Sequence, residues 1–172
     1  MKIIAILHAD EKWGIGKKND LMFHLKKDMS FFRKTTLNHT VAMGENTLLS
    51  FPNAQPLKNR TNIVLSQDLT HEYEGVINVH SFSDFLKEIK KASIQDDVYI
   101  IGGASIYRQM LPYCDEVLLT KVKADGKAEV FFVNLDEEKN YKLTYESEVE
   151  EDNGYQIQFT TYSNIAKKEI EE

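Results

Sequence analysis

Short apolar runs of strand length recur along the chain and alternate with segments of helical spacing. The runs predict strands at Lys2–Ala9, Thr40–Met43, Asn62–Ser66, Val76–Val79, Val98–Ile101 and Glu116–Val122. Because apolar residues follow one another in these runs with little polar alternation, the strands suit a parallel sheet that is covered on both faces.

Segments with a period of about 3.6 residues predict helices between these strands. Leu25, Met29 and Phe32 share one face of a helix that begins near Leu25, and basic residues occupy the opposite face. Further helices are predicted at Thr47–Ser50, at Asp84–Ala92 with Ser83 as its cap, and at Ala104–Leu111, which Pro112 ends.

The C-terminal part has the pattern of an antiparallel hairpin. Strands are predicted around Lys142–Val149 and Tyr155–Tyr162, and Asn153-Gly154 between them favours a type I′ turn. The final residues, KKEIEE, are expected to be solvated. The whole pattern predicts an α/β fold with a mainly parallel central sheet, flanking helices and an antiparallel C-terminal hairpin. Ligands bind such sheets beyond the carboxyl ends of the strands.

Composition and charge narrow the class of protein. With 172 residues, 42% of them hydrophobic, the chain is expected to form one domain. A net charge of −6 argues against nucleic acid or an anionic membrane as a partner. The N-terminal apolar run is too short to span a membrane. Cys114 has no second cysteine to pair with, so we expect a reducing, cytoplasmic setting and a structural role for this thiol.

The segment Gly14–Thr36 contains the first candidate site. Gly14, Gly16 and Asn19-Asp20 predict a loop that leads into the first helix. Asp28 lies in that helix four residues before Phe32, so its carboxylate leans toward the apolar side. An acid in a first helical turn also complements the helix dipole, so a purely structural role is the alternative.

Gly102-Gly103 forms the second candidate site, between the predicted strand Val98–Ile101 and the predicted helix Ala104–Leu111. Glycines let a backbone pass close to a ligand, and a helix N-terminus offers unpaired N–H donors to phosphate. Without a phosphate-binding lysine motif, a simple tight connection is an equal alternative here.

The segment Gly14–Thr36 resembles the part of dihydrofolate reductases that reads approximately IG-x-x-x-x-LPW-x-L-x-x-D-x-x-x-F-x-x-x-T. The matching positions are Ile15-Gly16, Leu21-Met22-Phe23, Leu25, Asp28, Phe32 and Thr36, with Met22-Phe23 in place of Pro-Trp. Further blocks match in family order over essentially the whole chain: Val41–Gly44 with Thr47, Leu57 and Arg60 before Asn62–Ser66, Ile101–Gly103 with Tyr107, and Leu119-Thr120. The resemblance implies a single domain over residues 1–172, with an adenosine-binding part at roughly 39–95.

The resemblance implies reduction of 7,8-dihydrofolate to 5,6,7,8-tetrahydrofolate, with a hydride to C6 and a proton to N5. Asp28 would be the catalytic carboxylate that holds the pterin ring, and Arg60 would bind the carboxylate of the glutamate tail. The implied substrate-binding residues are Ile6, Asp28, Met29, Phe32, Phe51, Leu57, Arg60, Ile101 and Thr120. Antifolate inhibitors would bind the same site, and the family resemblance favours a monomer.

The implied cofactor is NADPH, and no metal is expected. The implied cofactor-binding residues are Ala5, Ile15, Gly16, Gly44, Glu45, Asn46, Thr47, Ser66, Gln67, Ile101, Gly102, Gly103, Ala104, Ser105, Ile106 and Tyr107. In the family the Gly-Gly peptide is cis, and the loop Gly14–Asp20 closes over the nicotinamide.

Three departures from the family pattern bear on these expectations. Phe23 lacks the indole N–H of the usual Trp, which affects proton delivery. Glu45 and Ser105 stand where basic residues usually bind the 2′-phosphate of NADPH, so we expect weak discrimination and use of NADH as well. Glu129–Phe132 replaces a turn of Gly-Asp-Thr type, which alters loop contacts.

Two other functions compete with this interpretation. A pyrimidine reductase of riboflavin synthesis has a related fold and a similar glycine pair, but Asp28, Phe32 and Arg60 together favour folate. A non-enzymatic nucleotide-binding module would need Asp28 only for the helix dipole. The response to dihydrofolate and a reduced nicotinamide cofactor separates the three.

Overall fold

Nine strands form the central sheet in the computed structural model, which describes residues 1–171. The strands of the chain are β1 (Ile3–Ala9), β2 (Gly14–Gly16), β3 (Thr40–Gly44), β4 (Thr61–Leu65), β5 (Ile77–Val79), β6 (Val98–Ile100), β7 (Glu116–Val122), β8 (Val130–Phe131), β9 (Tyr141–Glu146), β10 (Glu150–Asp152) and β11 (Tyr155–Asn164). The helices are α1 (Lys26–Thr36), α2 (Glu45–Ser50), α3 (Phe82–Ser93) and α4 (Ala104–Met110), with 3₁₀ turns at Pro52–Ala54 and Leu111–Tyr113.

The strand order of the central sheet is β10-β11-β7-β1-β6-β3-β4-β5, and β9 also pairs with β11. Neighbouring strands from β7 to β5 run parallel, whereas β11 is antiparallel to β7, β9 and β10. Asn153 and Gly154 have φ angles of 53° and 83°, as the predicted type I′ turn requires. The predicted fold class is therefore confirmed.

Helices cover both faces of this sheet because β1 and its neighbours are apolar on both sides. Ile3 and Ala5 pack in a core that includes residues of α3 and α4, among them Phe85. Ile4 and Ile6 point the other way, into a core that residues of α1 and α2 cover. Complete burial of each large apolar side chain contributes roughly 1.5–3 kcal/mol to stability.

The parallel arrangement places the carboxyl ends of β1, β6 and β3 at one edge of the sheet. A hydrogen bond of 2.9 Å from Gly44 N to Gly102 O joins the ends of β3 and the segment after β6. Ile101 N donates to Ala42 O at 3.0 Å beside it. Both candidate sites of the sequence therefore lie at this edge.

Two local expectations are wrong, and a third holds only in part. Ser81, not Ser83, caps α3: Ser81 Oγ accepts a 3.1 Å hydrogen bond from Asp84 N, and Ser83 already lies inside the helix. Part of the predicted loop Gly14–Asp20 is strand β2, which pairs with β8. Of the final residues, Lys168, Glu169 and Glu171 are exposed as expected, but Ile170 is buried in the core and its carbonyl accepts a hydrogen bond from Lys90 Nζ.

The N-terminus of α1 receives its cap from a distant part of the chain. Leu25, at the N-cap position, makes no side-chain cap bond. The buried Asp152 instead accepts from Lys26 N at 3.1 Å and from Lys27 N at 2.8 Å. A carboxylate at this position satisfies two unpaired N–H groups and complements the helix dipole.

Replacing Asp152 by Ala should therefore destabilise the protein by about 1 kcal/mol, the usual cost of losing a helix cap. Urea unfolding followed by circular dichroism measures the change. The exposed neighbour Glu151→Ala is the matched control, because it removes the same charge without touching α1. Equal stabilities of the Asp152 and Glu151 variants would contradict the capping role.

Candidate active site

The carboxylate of Asp28 contacts side chains from two adjacent strands. Asp28 is the third residue of α1, and its side chain is 14% exposed. Thr120 Oγ1 of β7 donates to Asp28 Oδ1 at 2.7 Å, and His8 Nδ1 of β1 lies 2.9 Å from Oδ2. His8 and Thr120 are partners in the pairing of β1 with β7, so their side chains leave the sheet on the same side. Each carboxylate oxygen retains a lone pair for a further donor.

Apolar residues predicted to bind substrate lie together beside this carboxylate. They belong to one cluster on the α1 and α2 face of the sheet: Ile6, Phe32, Phe51, Leu57 and Ile101. Met29 is different, because 53% of its surface is exposed. The helix face of Leu25, Met29 and Phe32 is therefore not buried throughout, and Met29 leaves apolar surface available next to Asp28.

Arg60 lies at the far end of α1 from Asp28. Its Nη1 donates to Thr36 Oγ1 at 3.0 Å, and its Nε donates to Lys58 O at 3.0 Å. Burial lowers the pKa of the Arg60 guanidinium, and the positive charge of Arg33 lowers it further. Among the described residues neither arginine has an acidic partner within ion-pair distance, so this pair suits an external anion.

The glycine pair brings the first turns of α2 and α4 together. The Gly102–Gly103 peptide is cis, and Gly102 has a φ of 130°, which favours glycine. A Cβ on Gly102 would meet Thr47 Oγ1 at 3.1 Å. A Cβ on Gly103 would find the same atom at 3.8 Å as its nearest neighbour, so glycine keeps the space before this peptide open. The first turns beside it contain Glu45, Asn46, Thr47, Ala104 and Ser105.

Not every residue of the predicted cofactor set faces this space. The side chains of Ile106 and Tyr107 are buried in the core, and so is that of Ala5, on the sheet face opposite Ile6. The Tyr107 hydroxyl donates to Ile6 O at 2.8 Å. Burial raises the pKa of Tyr107, and the charge of Asp28 adds to the effect. The side chains of these three residues therefore contribute to the core.

The Glu45 carboxylate is surrounded by donors. Ser66 Oγ donates to Oε2 at 3.1 Å, His71 Nδ1 lies 2.6 Å from it, and the Tyr73 hydroxyl also donates to it. The hydrogen bond from Tyr73 is the main cause that lowers the pKa of Glu45, and His71 and Ser66 add to it against the effect of burial. The same bond raises the pKa of Tyr73 to about 12. Glu45 is therefore a fixed negative charge, and the neighbouring Gln67 is exposed.

The segment Gly14–Asp20 contacts Glu129 and the first turn of α2. Glu129 accepts from Lys18 N at 2.8 Å through Oε1, and its own N–H donates to Gly16 O at 2.9 Å. Asn19 Nδ2 donates to Asn46 O at 3.2 Å. Glu129, where the chain departs from the family turn, thus anchors this segment. Ile15 packs partly buried against the core.

Two residues beside the site, His8 and Arg33, were not predicted as site residues from the sequence. His8 follows Ile4 and Ile6 at a spacing of two, which places it on the pocket face of β1, and this alternation was the available signal. Arg33 lies three residues before Thr36 on α1, and the helical pattern placed it among the basic residues of a solvated face. Phe23, at the family's Trp position, is buried, with its ring centroid 5.8 Å from that of His8 and 4.8 Å from that of Tyr155.

The described residues do not support a metal site, a membrane-spanning helix or a nucleophilic cysteine. They contain no group of histidine, cysteine, aspartate or glutamate side chains arranged to hold a metal ion. No helix within residues 1–171 has the length and apolar character needed to cross a membrane. Cys114 is buried, and burial raises the pKa of its thiol to about 12, which opposes a nucleophilic role.

Comparisons with a family profile, with related sequences and with solved structures all find dihydrofolate reductases. The family profile described as dihydrofolate reductase matches residues 2–164. A dihydrofolate reductase of Bacillus subtilis is 35% identical over 162 residues, which cover 93% of each chain. One from Haemophilus influenzae is 35% identical over 146 residues, covering 84% of this chain and 88% of that relative. The solved structure of a dihydrofolate reductase from Enterococcus faecalis, complexed with NADP(H) and RAB-propyl, superposes with a TM-score of 0.84 at 28% identity over 95% of this chain and 96% of that one.

Proposed function

The chain belongs to the dihydrofolate reductase family, and we propose how its residues carry out the NADPH-dependent reduction of 7,8-dihydrofolate to tetrahydrofolate. The observation that carries the proposal is the Asp28 carboxylate, which Thr120 and His8 hold at the carboxyl edge of the sheet beside exposed apolar surface. The Asp28 carboxylate can therefore bind the polar edge of a flat ring while the neighbouring apolar side chains contact its face.

Asp28 binds the pterin by accepting hydrogen bonds from its N3–H and 2-amino groups. Each carboxylate oxygen already accepts one bond from the protein and can accept another. Charge-assisted bonds of this kind are roughly twice as strong as neutral ones. Asp28 thereby orients and polarises the ring, and a water molecule brings the proton to N5.

The apolar cluster holds the flat part of the substrate. Phe32 packs on the pterin and benzoyl rings, Ile6 and Ile101 line the ring pocket, and Leu57 contacts the benzoyl group. Met29 and Phe51 contribute further apolar surface. Together these residues exclude water from the reacting atoms, which strengthens the electrostatic effect of Asp28.

The residues around the glycine pair fit a dinucleotide. Gly103 keeps the space beside Thr47 open, and the first turns of α2 and α4 direct N–H groups toward phosphate. When bound, NADPH supplies the hydride that C6 of dihydrofolate receives. The side chains of Thr47 and Ser105 add hydroxyl groups, and the segment Gly14–Asp20 covers the nicotinamide side of the site.

Arg60 holds the α-carboxylate of the glutamate tail. The Arg60→Leu variant should raise KM for dihydrofolate roughly fivefold, about 1 kcal/mol, with little change in kcat. The reason is that the tail lies far from the reacting ring and is held equally in the ground and transition states. Steady-state kinetics measure both parameters, and the exposed Lys58→Leu variant controls for the loss of charge. An unchanged KM would remove Arg60 from the site.

The proposed function is tested by mixing the purified protein with dihydrofolate and NADPH and following the absorbance of the reduced nicotinamide. We expect oxidation of NADPH that depends on dihydrofolate and stops when an antifolate is added. Activity only with a pyrimidine substrate of riboflavin synthesis, or cofactor binding without turnover, would contradict the proposal.

We propose that the protein works as a cytoplasmic monomer on small molecules. The net charge of −6 and the single buried cysteine support this setting. Sedimentation at several concentrations would test the monomer, and a mass that increases with concentration would contradict it.

A further inference from the structure

A buried histidine lies against the carboxylate that binds the pterin, and in the reaction proposed above it makes no contact with the substrate. The His8 side chain is 6% exposed, and its Nδ1 lies 2.9 Å from Asp28 Oδ2. Its other ring nitrogen, Nε2, is buried without a hydrogen-bond partner within the described part of the chain. The apolar ring of Phe23 packs near the imidazole, with the two ring centroids 5.8 Å apart.

The surroundings of the two nitrogens determine where the imidazole proton lies. An ionised carboxylate only accepts hydrogen bonds, so a proton on Nδ1 completes the contact with Asp28. Nε2 has no partner in either neutral tautomer, so the contact at Nδ1 distinguishes them. A proton on Nε2 alone would set the Nδ1 lone pair against a carboxylate oxygen, whereas a proton on Nδ1 makes a charge-assisted hydrogen bond. The geometry therefore places a proton on Nδ1.

We propose that His8 is a positioning residue for Asp28, an inference that rests on the proposed function. His8 Nδ1–H fixes the Oδ2 side of the carboxylate while Thr120 fixes the Oδ1 side. The terminal torsion of an aspartate is otherwise broad, so two donors from neighbouring strands restrict its rotation. The carboxylate is thereby set in place for the pterin before the substrate arrives.

Three substitutions of His8 separate this role from simple packing. His8→Leu removes both nitrogens at similar volume, His8→Asn retains a donor near the position of Nδ1, and His8→Gln places its amide near Nε2. We expect His8→Leu and His8→Gln to lower kcat/KM for dihydrofolate about tenfold. His8→Asn should restore most of the loss, while the dissociation constant of NADPH stays within about twofold in all three variants.

A double variant tests whether His8 acts through Asp28. In an Asp28→Asn background, His8→Leu should lower the remaining activity by less than about twofold, because the group that His8 positions has already lost its charge. The matched control is His39→Leu. His39 also lies against a carboxylate, with Nδ1 2.5 Å from Asp96 Oδ1, but it precedes β3 at the amino edge of the sheet. The kcat/KM of the His39→Leu variant should remain within about twofold of that of the wild type.

The tautomer can be observed directly in the wild-type protein. Nitrogen-15 NMR of the histidine side chains should show His8 with a proton on Nδ1, a result that does not depend on catalysis. A bare Nδ1, equal activities of the Asn and Gln variants, or an unchanged His8→Leu variant would overturn the role of His8 while the reductase function stood. A wild type that fails to reduce dihydrofolate would instead overturn the proposed function.

Discussion

Replacing Asp28 by Asn should lower kcat/KM for dihydrofolate roughly 100-fold at neutral pH, equivalent to about 2.7 kcal/mol. The amide is nearly isosteric, but it is uncharged and only its oxygen accepts hydrogen bonds. It therefore cannot accept from both the N3–H and the 2-amino group of the pterin while Thr120 and His8 also donate to it. Steady-state kinetics with saturating NADPH measure the effect.

The Asp28 variant should fold normally and retain cofactor binding, because Asp28 lies apart from Gly102-Gly103 and its side chain is partly exposed. Circular dichroism and NADPH titration check both points. Asp96→Asn, at the opposite edge of the sheet, removes a second carboxylate that lies against a histidine and should leave kcat/KM almost unchanged. If Asp28→Asn kept the activity of the wild type, the assigned role of Asp28 would be refuted.

Replacing Glu45 by Arg should raise the NADPH-to-NADH ratio of kcat/KM by roughly tenfold or more, about 1.4 kcal/mol. Ser66, His71 and Tyr73 hold the carboxylate in one place, and its lowered pKa keeps it ionised at neutral pH. A 2′-phosphate beside it meets like-charge repulsion, whereas a 2′-hydroxyl can donate to it. The wild type should therefore use NADH well for a member of this family.

The cofactor prediction needs a control for net charge. Glu72→Arg makes the same change of charge nearby, at an exposed side chain whose ion-pair partner among the described residues is His80. Its cofactor ratio should change by less than about twofold at moderate salt, where distant charges are screened. A strong NADPH preference in the wild type that Glu45→Arg leaves unchanged would show that Glu45 does not face the phosphate. Arg108, exposed on α4, would then be the first alternative.

The parts of the fold that follow from local sequence patterns were predicted well. The strands β1, β3, β4, β6 and β7 arise from continuous apolar runs, and Gly102-Gly103 stands at the end of such a run. Asn-Gly specified its turn because both residues tolerate positive φ. The cap of α3 was misplaced by two residues, because Ser81 and Ser83 are chemically equivalent and helix ends are weakly marked.

The features that could not be predicted depend on contacts between distant segments. Asp152 caps α1 across 125 positions of the chain, and Thr120 meets Asp28 across 92. The pairing of β2 with β8 and the burial of Ile170 likewise depend on contacts between segments that are distant in the sequence. The family resemblance predicted Thr120 as a site residue. His8 lies outside the matched motifs, and only the fold shows that it contacts Asp28.

The role of Asp28 in binding the pterin is tested most directly by a crystal structure of the complex with NADP⁺ and folate. In that complex the Asp28 oxygens should lie about 3 Å from the pterin N3 and 2-amino nitrogen, a normal hydrogen-bond distance. Thr120 and His8 should remain on the same two oxygens, and the pyrophosphate should lie before Gly103. A pterin bound away from Asp28, with the carboxylate still held only by Thr120 and His8, would contradict the role of Asp28.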